Sequence, residues 1–338
     1  MINEIFLRND YRFLIERITK NTNPNNNYSL IDAIFIPFRK QHVNVNELLQ
    51  ILSFYKGPIY LMPSEEKDLK YISWNSSLKV LSILLKDTNF LSFFNSLLTT
   101  NNVFYNNTSW DLPLKRNYAL YFSRKNGYSK ILLIDDDIRG VNLNILKMGS
   151  QSLNDYLLSG CFIEDFPDIS IIDHLDVVAG EKIVSSLSGS FLFIKPFSSY
   201  SFFPNIYNED LLFMLPHIID RSICSFGSIQ QLPYDPFQDP SKASFQEFGD
   251  IIAEGLFALL SSNLYEHRFN KKAWEHILNE RKKILLNLRD TLKDIKVQKI
   301  IDSAMIVNKT ITTEACLNFL DNMERDRQTW NSFLKESS

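Results

Sequence analysis

The sequence predicts an α/β fold, a mostly parallel β-sheet covered by helices, with a helical extension at its C-terminal end. Three observations support this prediction. Short apolar runs alternate with stretches of helical periodicity over the first two thirds of the chain, which is typical of a parallel sheet covered on both faces. One run is followed directly by three Asp residues, as at the carboxyl end of a buried strand. After Glu247 the strand-like runs stop and helical periodicity dominates.

The predicted elements follow the chain in order. Apolar runs with the length and composition of buried strands occur at residues 31–37, 59–62, 78–84, 130–134 and 187–194. Helical spacing of apolar residues occurs at residues 45–52, 90–98, 115–126, 211–219, 251–260, 273–292 and 313–333.

Three regions are predicted. Residues 1–28 form an N-terminal helix and loop, because apolar residues recur at near-helical spacing up to Lys20 and an Asn-rich stretch follows. Residues 29–245 form the α/β domain, and residues 246–338 form a helical C-terminal region. We expect the charge run at 280–283 to be a solvated helix face. Apolar stripes on the C-terminal helices pack either against the α/β domain or in a homo-oligomer.

Composition excludes several classes of function. The 338 residues include 36 Lys and Arg against 39 Asp and Glu, a formal net charge of -3, which argues against a nucleic-acid partner. The three cysteines lack a CxxC spacing and are expected to be reduced. No apolar run reaches the roughly 20 residues of a transmembrane segment, and the first residues do not resemble a signal peptide, so a cytoplasmic location is expected. The GxGxxG, Walker A, HExxH and GxSxG motifs are absent.

The most informative motif is Asp135-Asp136-Asp137, directly after the apolar run at 130–134. In open α/β sheets, ligands bind at the carboxyl ends of the strands. Adjacent carboxylates repel one another unless a cation compensates, and hard divalent cations prefer oxygen ligands. A metal site is therefore favoured, although a single Asp here would be explained by capping or by a turn.

A second motif is the strand at 187–194, entered through Gly189, followed by Asn208-Glu209-Asp210 at the start of a helix. One interpretation is structural: Asn208 caps the helix, and the two acids complement its dipole. Together with the upstream Asp triplet, the acids acquire a second interpretation. One carboxylate set would hold metal and phosphate, and the other would act on an acceptor hydroxyl.

These motifs, with Arg116-Asn117 on the helix before the Asp triplet, resemble those of GT-A glycosyltransferases of the family 2 type. The resemblance covers about residues 29–229, which makes 29–245 a GT-A catalytic domain with a Rossmann-like sheet. It implies transfer of a sugar from a nucleotide-diphosphate sugar, such as a UDP- or GDP-sugar, to an acceptor hydroxyl. The acceptor itself is not indicated.

The resemblance also implies a role for individual residues. Asp135 and Asp137 would bind Mn²⁺ or Mg²⁺ at the donor diphosphate, with His267 as a third metal ligand, and Asp136 would face the ribose or the donor sugar. Asp210 would be the catalytic base of an inverting reaction, with Glu209 assisting in acceptor or sugar binding. The remaining donor-binding residues would be Pro37 and Arg39 near the nucleobase, Arg116 on the helix, and Gly189 and Ser190 at the donor sugar.

The sequence departs from the family pattern at two points. The second strand ends in Pro63-Ser64-Glu65-Glu66 where many members have an Asp-rich turn that binds the base, and a QxxRW motif is absent. Two alternatives follow. One is a sugar-nucleotide nucleotidyltransferase, which normally begins with a glycine-rich basic loop that residues 37–40 lack. The other is a non-catalytic scaffold whose C-terminal helices bind a partner protein.

Overall fold

The structure is a computed structural model that describes residues 14–18, 30–40, 42–73, 77–101, 104, 110–164, 170–182, 185–198 and 200–336. Within these ranges, nine strands form one sheet. They are β1 (Glu16–Arg17), β2 (Ala33–Phe38), β3 (Pro58–Pro63), β4 (Lys79–Ser82), β5 (Ile131–Ile134), β6 (Ile138–Arg139), β7 (Leu158–Glu164), β8 (Ser186–Ile194) and β9 (Ile223–Gln231). Their order in the sheet is β1-β9-β7-β8-β5-β2-β3-β4, and β6 pairs with β9.

The helices of the described ranges cover both faces of the sheet and form the C-terminal region. They are α1 (His42–Ile51), α2 (Thr88–Ser96), α3 (Leu112–Lys125), α4 (Leu143–Ser152), α5 (Ile171–Val178), α6 (Glu209–Ile219), α7 (Pro240–Ser261), α8 (Lys271–Thr291), α9 (Ile295–Asn308) and α10 (Thr313–Glu336).

The prediction of an α/β fold with a mostly parallel sheet is confirmed. Strand β2 pairs in parallel with both β5 and β3, and β3 pairs in parallel with β4. Strand β8 runs antiparallel to β5 and β7, on either side of it, so the sheet is mixed at its centre. Because β8 is antiparallel to β5, its first half lies beside the carboxyl end of β5.

The two faces of the sheet bury separate apolar clusters. Successive residues of a strand point to opposite faces. Phe35 belongs to the same apolar cluster as Ile251 of α7 and Trp330 of α10, and this cluster also includes residues of α3 and α6. Ile34 and Leu48 belong to a different cluster, which includes residues of α1 and α4. The C-terminal helices therefore share an apolar core with one face of the sheet.

The structure corrects the prediction for part of the N-terminal region. Glu16–Arg17 form a short strand parallel to β9, with Glu16 opposite Cys224, where a helix is predicted. Apolar residues at near-helical spacing cannot reveal that a neighbouring strand offers a free edge. The rest of the predicted N-terminal helix and loop lies outside the described residues, apart from the few residues that flank this strand. Helix α7 begins at Pro240, before the predicted region boundary at residue 246.

The charge run at 280–283 is also different from its prediction, because Arg281 is completely buried. It contacts Glu247, Asp250 and Glu254 of α7. We call these four residues the Arg281 cluster. The described helices include none that is long and apolar enough to cross a membrane. All three cysteines are buried and free.

Candidate functional site

The candidate site begins at the carboxyl end of β5, where all four strand residues are buried and Asp135 follows. Two neighbouring strands fix the turn that carries the Asp triplet. The Asp135 amide donates to the carbonyl of Ser190 in β8 (2.9 Å), and the Leu232 amide, directly after β9, donates to the carbonyl of Asp137 (2.9 Å). The backbone of the turn that carries the three carboxylates is therefore held on both sides.

Arg116 of α3 joins this turn to the start of α6. Its Nη2 donates to both carboxylate oxygens of Asp135 (3.2 and 3.0 Å), and its Nη1 donates to Oε1 of Glu209 (2.7 Å). Both Arg116 and Glu209 are 3% exposed. The planar guanidinium presents several N–H donors in a fixed geometry, so it can bind two carboxylates at once. The single ammonium group of a lysine lacks this fixed geometry. Three elements that are distant in sequence thus meet at one buried cation.

Gly189 and Asp210 lie against this arginine. The Gly189 amide donates to Oδ2 of Asp210 (2.6 Å). A Cβ atom on Gly189 would lie 2.7 Å from both Nη1 of Arg116 and Cβ of Asp210. Glycine is required here because no side chain fits between the two groups. Ser190 is buried beside it, and its hydroxyl bonds to that of Ser188.

Burial and like charges disturb the titration of several acids in the site. Burial, with smaller contributions from Asp137 and Asp135, raises the pKa of Asp136 to about 8. Burial also raises the pKa of Glu209 to about 8, against the opposing effect of Arg116. Burial raises the pKa of Asp135 as well, although Arg116 opposes the shift. The site therefore holds more carboxyl groups than its buried arginine can pair with, and burial favours their protonated forms while no cation is bound.

The triplet has the oxygen donors that a hard divalent cation needs. The Oδ2 atom of Asp136 is buried and accepts no hydrogen bond within the described residues. Gln231, at the end of β9, donates to Oδ2 of Asp137 (2.9 Å) and thereby orients that carboxylate. Gln231 was not predicted as a site residue. Its position at the end of a strand could have indicated it, but that strand was not predicted either.

The structure does not join His267 to these acids. His267 lies in the 3₁₀ helix Tyr265–Phe269, with its Nε2 3.6 Å from Oε1 of Glu266. In the described part of the chain, no three His, Cys, Asp or Glu side chains form a group that could hold a metal ion. Asp135, Asp137 and His267 are therefore not assembled as one ligand set, and a metal-binding role for His267 stays a prediction.

The predicted nucleobase residues lie at the ends of the neighbouring strands. Pro37 is a buried residue of β2, opposite Met62 of β3, and Arg39 is exposed just beyond the strand. Next to them, Lys115 is 2% exposed and was not predicted as a site residue. Its Nζ donates to the carbonyl of Phe38 (3.0 Å) and to Oγ of Ser64 (2.7 Å), which ties the ends of β2 and β3 together.

A cavity of about 310 Å³ opens next to Ser64 and Asp111, which both contact Lys115. Pro63 and Ser64 at the end of β3, together with Asp111 and Leu114 of the α3 region, form part of its lining. Asp111 also forms an ion pair with Lys115 (3.1 Å). Asp111 precedes Arg116 by five residues, a rise of about 7.5 Å along a helix axis at 1.5 Å per residue. One helix therefore borders both the cavity and the acidic turn.

Asn208 occupies the N-cap position of α6, as predicted, but its side chain does not cap the helix. Asn208 has left-handed backbone angles (φ 62°, ψ 29°), and its side chain makes no capping hydrogen bond. The side-chain amide instead donates to Oδ1 of Asp250 in α7 (2.9 Å). The first turn of α6 does carry Glu209 and Asp210, as the sequence predicts.

Comparisons with known proteins give little further information. No protein-family model matches this chain. No curated protein matches it in sequence. Among solved structures, the chain is similar to a protein from Desulfovibrio desulfuricans G20, provisionally assigned as a nucleotide-diphospho-sugar transferase, with 10% sequence identity and a TM-score of 0.36. The similarity covers 78% of this chain and 98% of that chain. A likeness at this level carries no argument about activity, which has to come from the residues.

Proposed function

We propose that this protein is a glycosyltransferase that moves a sugar from a nucleotide-diphosphate sugar to an acceptor hydroxyl. The observation that carries the proposal is the contact of one buried arginine, Arg116, with Asp135 at a strand end and Glu209 at a helix start. This contact places the Asp triplet beside the second acid pair. Two carboxylate sets side by side at the carboxyl end of a central strand suit a reaction with a charged donor and a hydroxyl acceptor.

The donor diphosphate is the group that the Asp triplet would recognise, through a divalent cation. Mg²⁺ or Mn²⁺, when bound, would neutralise the negative charge that develops on the leaving nucleoside diphosphate. Asp135 and Asp137 are the proposed ligands, and the unpaired Oδ2 of Asp136 is a further oxygen in the same turn. The excess of carboxylates over cations in the turn supports this assignment, since a divalent cation would relieve their repulsion.

The nucleoside of the donor, a UDP- or GDP-sugar, would occupy the cavity at the end of β3. The cavity has a size of about 310 Å³ and a mixed lining. Its polar groups are Ser64, Glu66, Lys86 and Asp111, and its apolar ones include Pro63 and Leu114. Helix α3 would then contact the donor at two places, with Asp111 near the nucleoside and Arg116 near the metal-binding turn. Pro37 and Arg39 remain proposed contacts of the nucleobase, and Gly189 and Ser190 of the donor sugar.

Asp210 is the residue that we assign to deprotonation of the acceptor hydroxyl, in an inverting reaction. It is partly exposed, whereas Glu209 is 3% exposed and bonded to Arg116. The Gly189 amide and the Leu211 amide hold the two oxygens of Asp210 (2.6 and 2.8 Å), so the carboxylate has a fixed direction. Glu209 is better suited to positioning Arg116 than to touching the acceptor or the sugar.

The test is release of nucleoside diphosphate from a panel of UDP- and GDP-sugars with Mn²⁺ and candidate hydroxyl acceptors. We expect Asp210→Asn to retain donor affinity and to lose transfer by at least about 100-fold, because general base catalysis contributes about 10²–10⁴-fold. Asp220→Asn is the matched control. Asp220 follows the last residue of the same helix and accepts a hydrogen bond from Tyr200. Full transfer by Asp210→Asn would remove Asp210 from the role of base.

A further inference from the structure

The start of α6 is held from the C-terminal helical region through one side chain. Asn208 precedes Asp210 by two residues and has a left-handed backbone (φ 62°), a conformation that Asn tolerates better than most other non-glycine residues. Its Nδ2 donates to Oδ1 of Asp250 (2.9 Å), and both side chains are buried. The contact joins the first turn of α6 to the middle of α7.

Asp250 is itself fixed on several sides. Its Oδ2 accepts from Nη2 of Arg281 (3.1 Å) and from the amide of Ile171 at the start of α5 (3.2 Å). Arg281 is completely buried and donates to both carboxylate oxygens of Glu247 (2.9 and 2.8 Å). It also donates to Glu254 (2.6 Å). The carboxylate that receives Asn208 is therefore anchored by α5, α7 and α8 together.

The backbone next to Asn208 also lies directly against α7. A Cβ atom on Gly249 would lie 2.3 Å from the carbonyl oxygen of Tyr207. Only glycine allows the helix to come this close to that carbonyl. The side-chain contact of Asn208 and the close approach at Gly249 are independent observations, and both place the segment before Glu209 against the same turn of α7.

We propose that Asn208 is a positioning residue through which the Arg281 cluster sets the place of the Asp210 carboxylate. This inference rests on the proposed function, in which Asp210 is the base. Asn208 fixes where α6 begins, and the carboxylate of Asp210 then meets the Gly189 amide at 2.6 Å. The C-terminal helices accordingly act on the chemistry through the start of α6, without contacting substrate.

The variant that isolates the side chain is Asn208→Gly, because glycine adopts positive φ without strain and removes only the amide contact. The matched control is Asn308→Ala. Asn308 of α9 also donates its side-chain amide to the Arg281 cluster, to Oε1 of Glu247 (3.0 Å), and it is likewise buried. It contacts Glu247 and not Asp250, and it precedes no candidate site residue, so its loss leaves the contact between Asn208 and Asp250 intact.

Steady-state kinetics with the donor and acceptor gives the first measurement. We expect Asn208→Gly to lower kcat by about 10- to 100-fold with an unchanged KM for the donor, because a displacement of about 1 Å of a reacting group has an effect of this size. We expect Asn308→Ala to keep its kcat. Equal losses of kcat in both variants would show that Asn208 serves stability alone and would overturn the inference.

The second measurement does not depend on activity. The Gly189 amide donates to Asp210, so its hydrogen exchange, followed by NMR, reports whether that carboxylate stays in place. We expect exchange at Gly189 to be at least about tenfold faster in Asn208→Gly and unchanged in Asn308→Ala. Unchanged exchange in Asn208→Gly would overturn the inference. A wild-type protein without transfer activity would refute the proposed function, and the Gly189 exchange rate would still decide the coupling.

Discussion

Replacement of Arg116 by methionine tests the electrostatic account of the site most thoroughly. Methionine keeps much of the length of the side chain and removes its charge, so Asp135 and Glu209 lose their common partner. Removal of one member of a buried ion pair typically costs about 3–5 kcal/mol, because a buried charge is left uncompensated. Arg116 is 3% exposed, so solvent offers little screening in its place. We expect a deficit of this size in the free energy of unfolding at pH 7.5.

The deficit should also depend on pH in a defined direction. Arg116 lowers the pKa of both carboxyls, and burial raises it. Without Arg116 their folded-state pKa values rise further above the ordinary values of 3.8 and 4.5, so the folded variant binds protons that its unfolded chain releases. In the variant, these groups therefore cost no stability below their ordinary pKa values, and they lower the free energy of unfolding increasingly as pH rises above those values. Each group that is ionised in the wild type and protonated in the variant adds about 1.4 kcal/mol per pH unit to the deficit.

The assay is guanidinium unfolding of both proteins at pH 5.5 and pH 7.5. We expect the deficit of Arg116→Met to be smaller at pH 5.5 by about 2–3 kcal/mol, which is two pH units for Asp135 alone. Glu209 adds little, because its pKa of about 8 keeps it largely protonated in the wild type over this range. The control is Arg124→Met on the same helix, where Nε donates to the carbonyl of Pro196 (2.8 Å). That variant should lose about 1 kcal/mol at either pH. An equal deficit of Arg116→Met at both pH values would refute the electrostatic reasoning and leave only lost packing.

Three further predictions concern Gly189, Asp136 and Arg281. Gly189→Ala should lower the free energy of unfolding by about 1–3 kcal/mol and weaken transfer, because its Cβ would lie 2.7 Å from Arg116 and Asp210; wild-type values of both would contradict the geometry. Asp136→Asn should stabilise the protein at pH 9 and much less at pH 5, since the pKa of Asp136 is raised to about 8 and its contribution to stability is lost as pH rises through that value. Chemical denaturation at the two pH values checks this, and a larger gain at pH 5 would show the opposite sign. Arg281→Met should lower the unfolding free energy by about 3–5 kcal/mol at pH 7. Lys283→Met, on the exposed face of the same helix, should change it by less than about 0.5 kcal/mol. Similar effects of the two substitutions would contradict the burial of Arg281.

Strands β2, β3, β4, β5 and β8 could be predicted because they lie in short, largely apolar runs, whereas β7 was not predicted. Residues 130–134 contain four consecutive apolar residues before Asp135, and the structure has β5 at Ile131–Ile134. Strand β9 was not predicted, because Ile223–Gln231 mixes buried apolar residues with Ser, Gly and Gln, a pattern that periodicity does not separate from a loop. Without β9, the contact of Gln231 with Asp137 could not be foreseen either.

The acids of the site and Arg116 could be identified in the sequence, but the contacts between them could not. Asp135 and Glu209 stand out by their neighbours in the chain, whereas their meeting at Arg116 depends on three elements that only the tertiary fold brings together. Arg281 shows the same limit. Within the run 280–283 it looks like any residue of a solvated face, and only the position of α7 reveals three carboxylates around it. Local patterns report burial on average, and single buried charges escape them.

The proposed activity requires the turn at Asp135–Asp137 to bind the diphosphate of a nucleotide donor together with a divalent cation. The most direct test is thermal unfolding of the protein with UDP or GDP, each with and without Mn²⁺, for the wild type and for Asp137→Asn. A ligand that binds only the folded state at 100 times its Kd stabilises it by about 2.7 kcal/mol, enough for a clear rise in Tm. We expect a rise with one nucleotide that requires Mn²⁺ and disappears in Asp137→Asn. A wild-type Tm that no combination of nucleotide and Mn²⁺ changes, or a full rise in Asp137→Asn, would contradict the account.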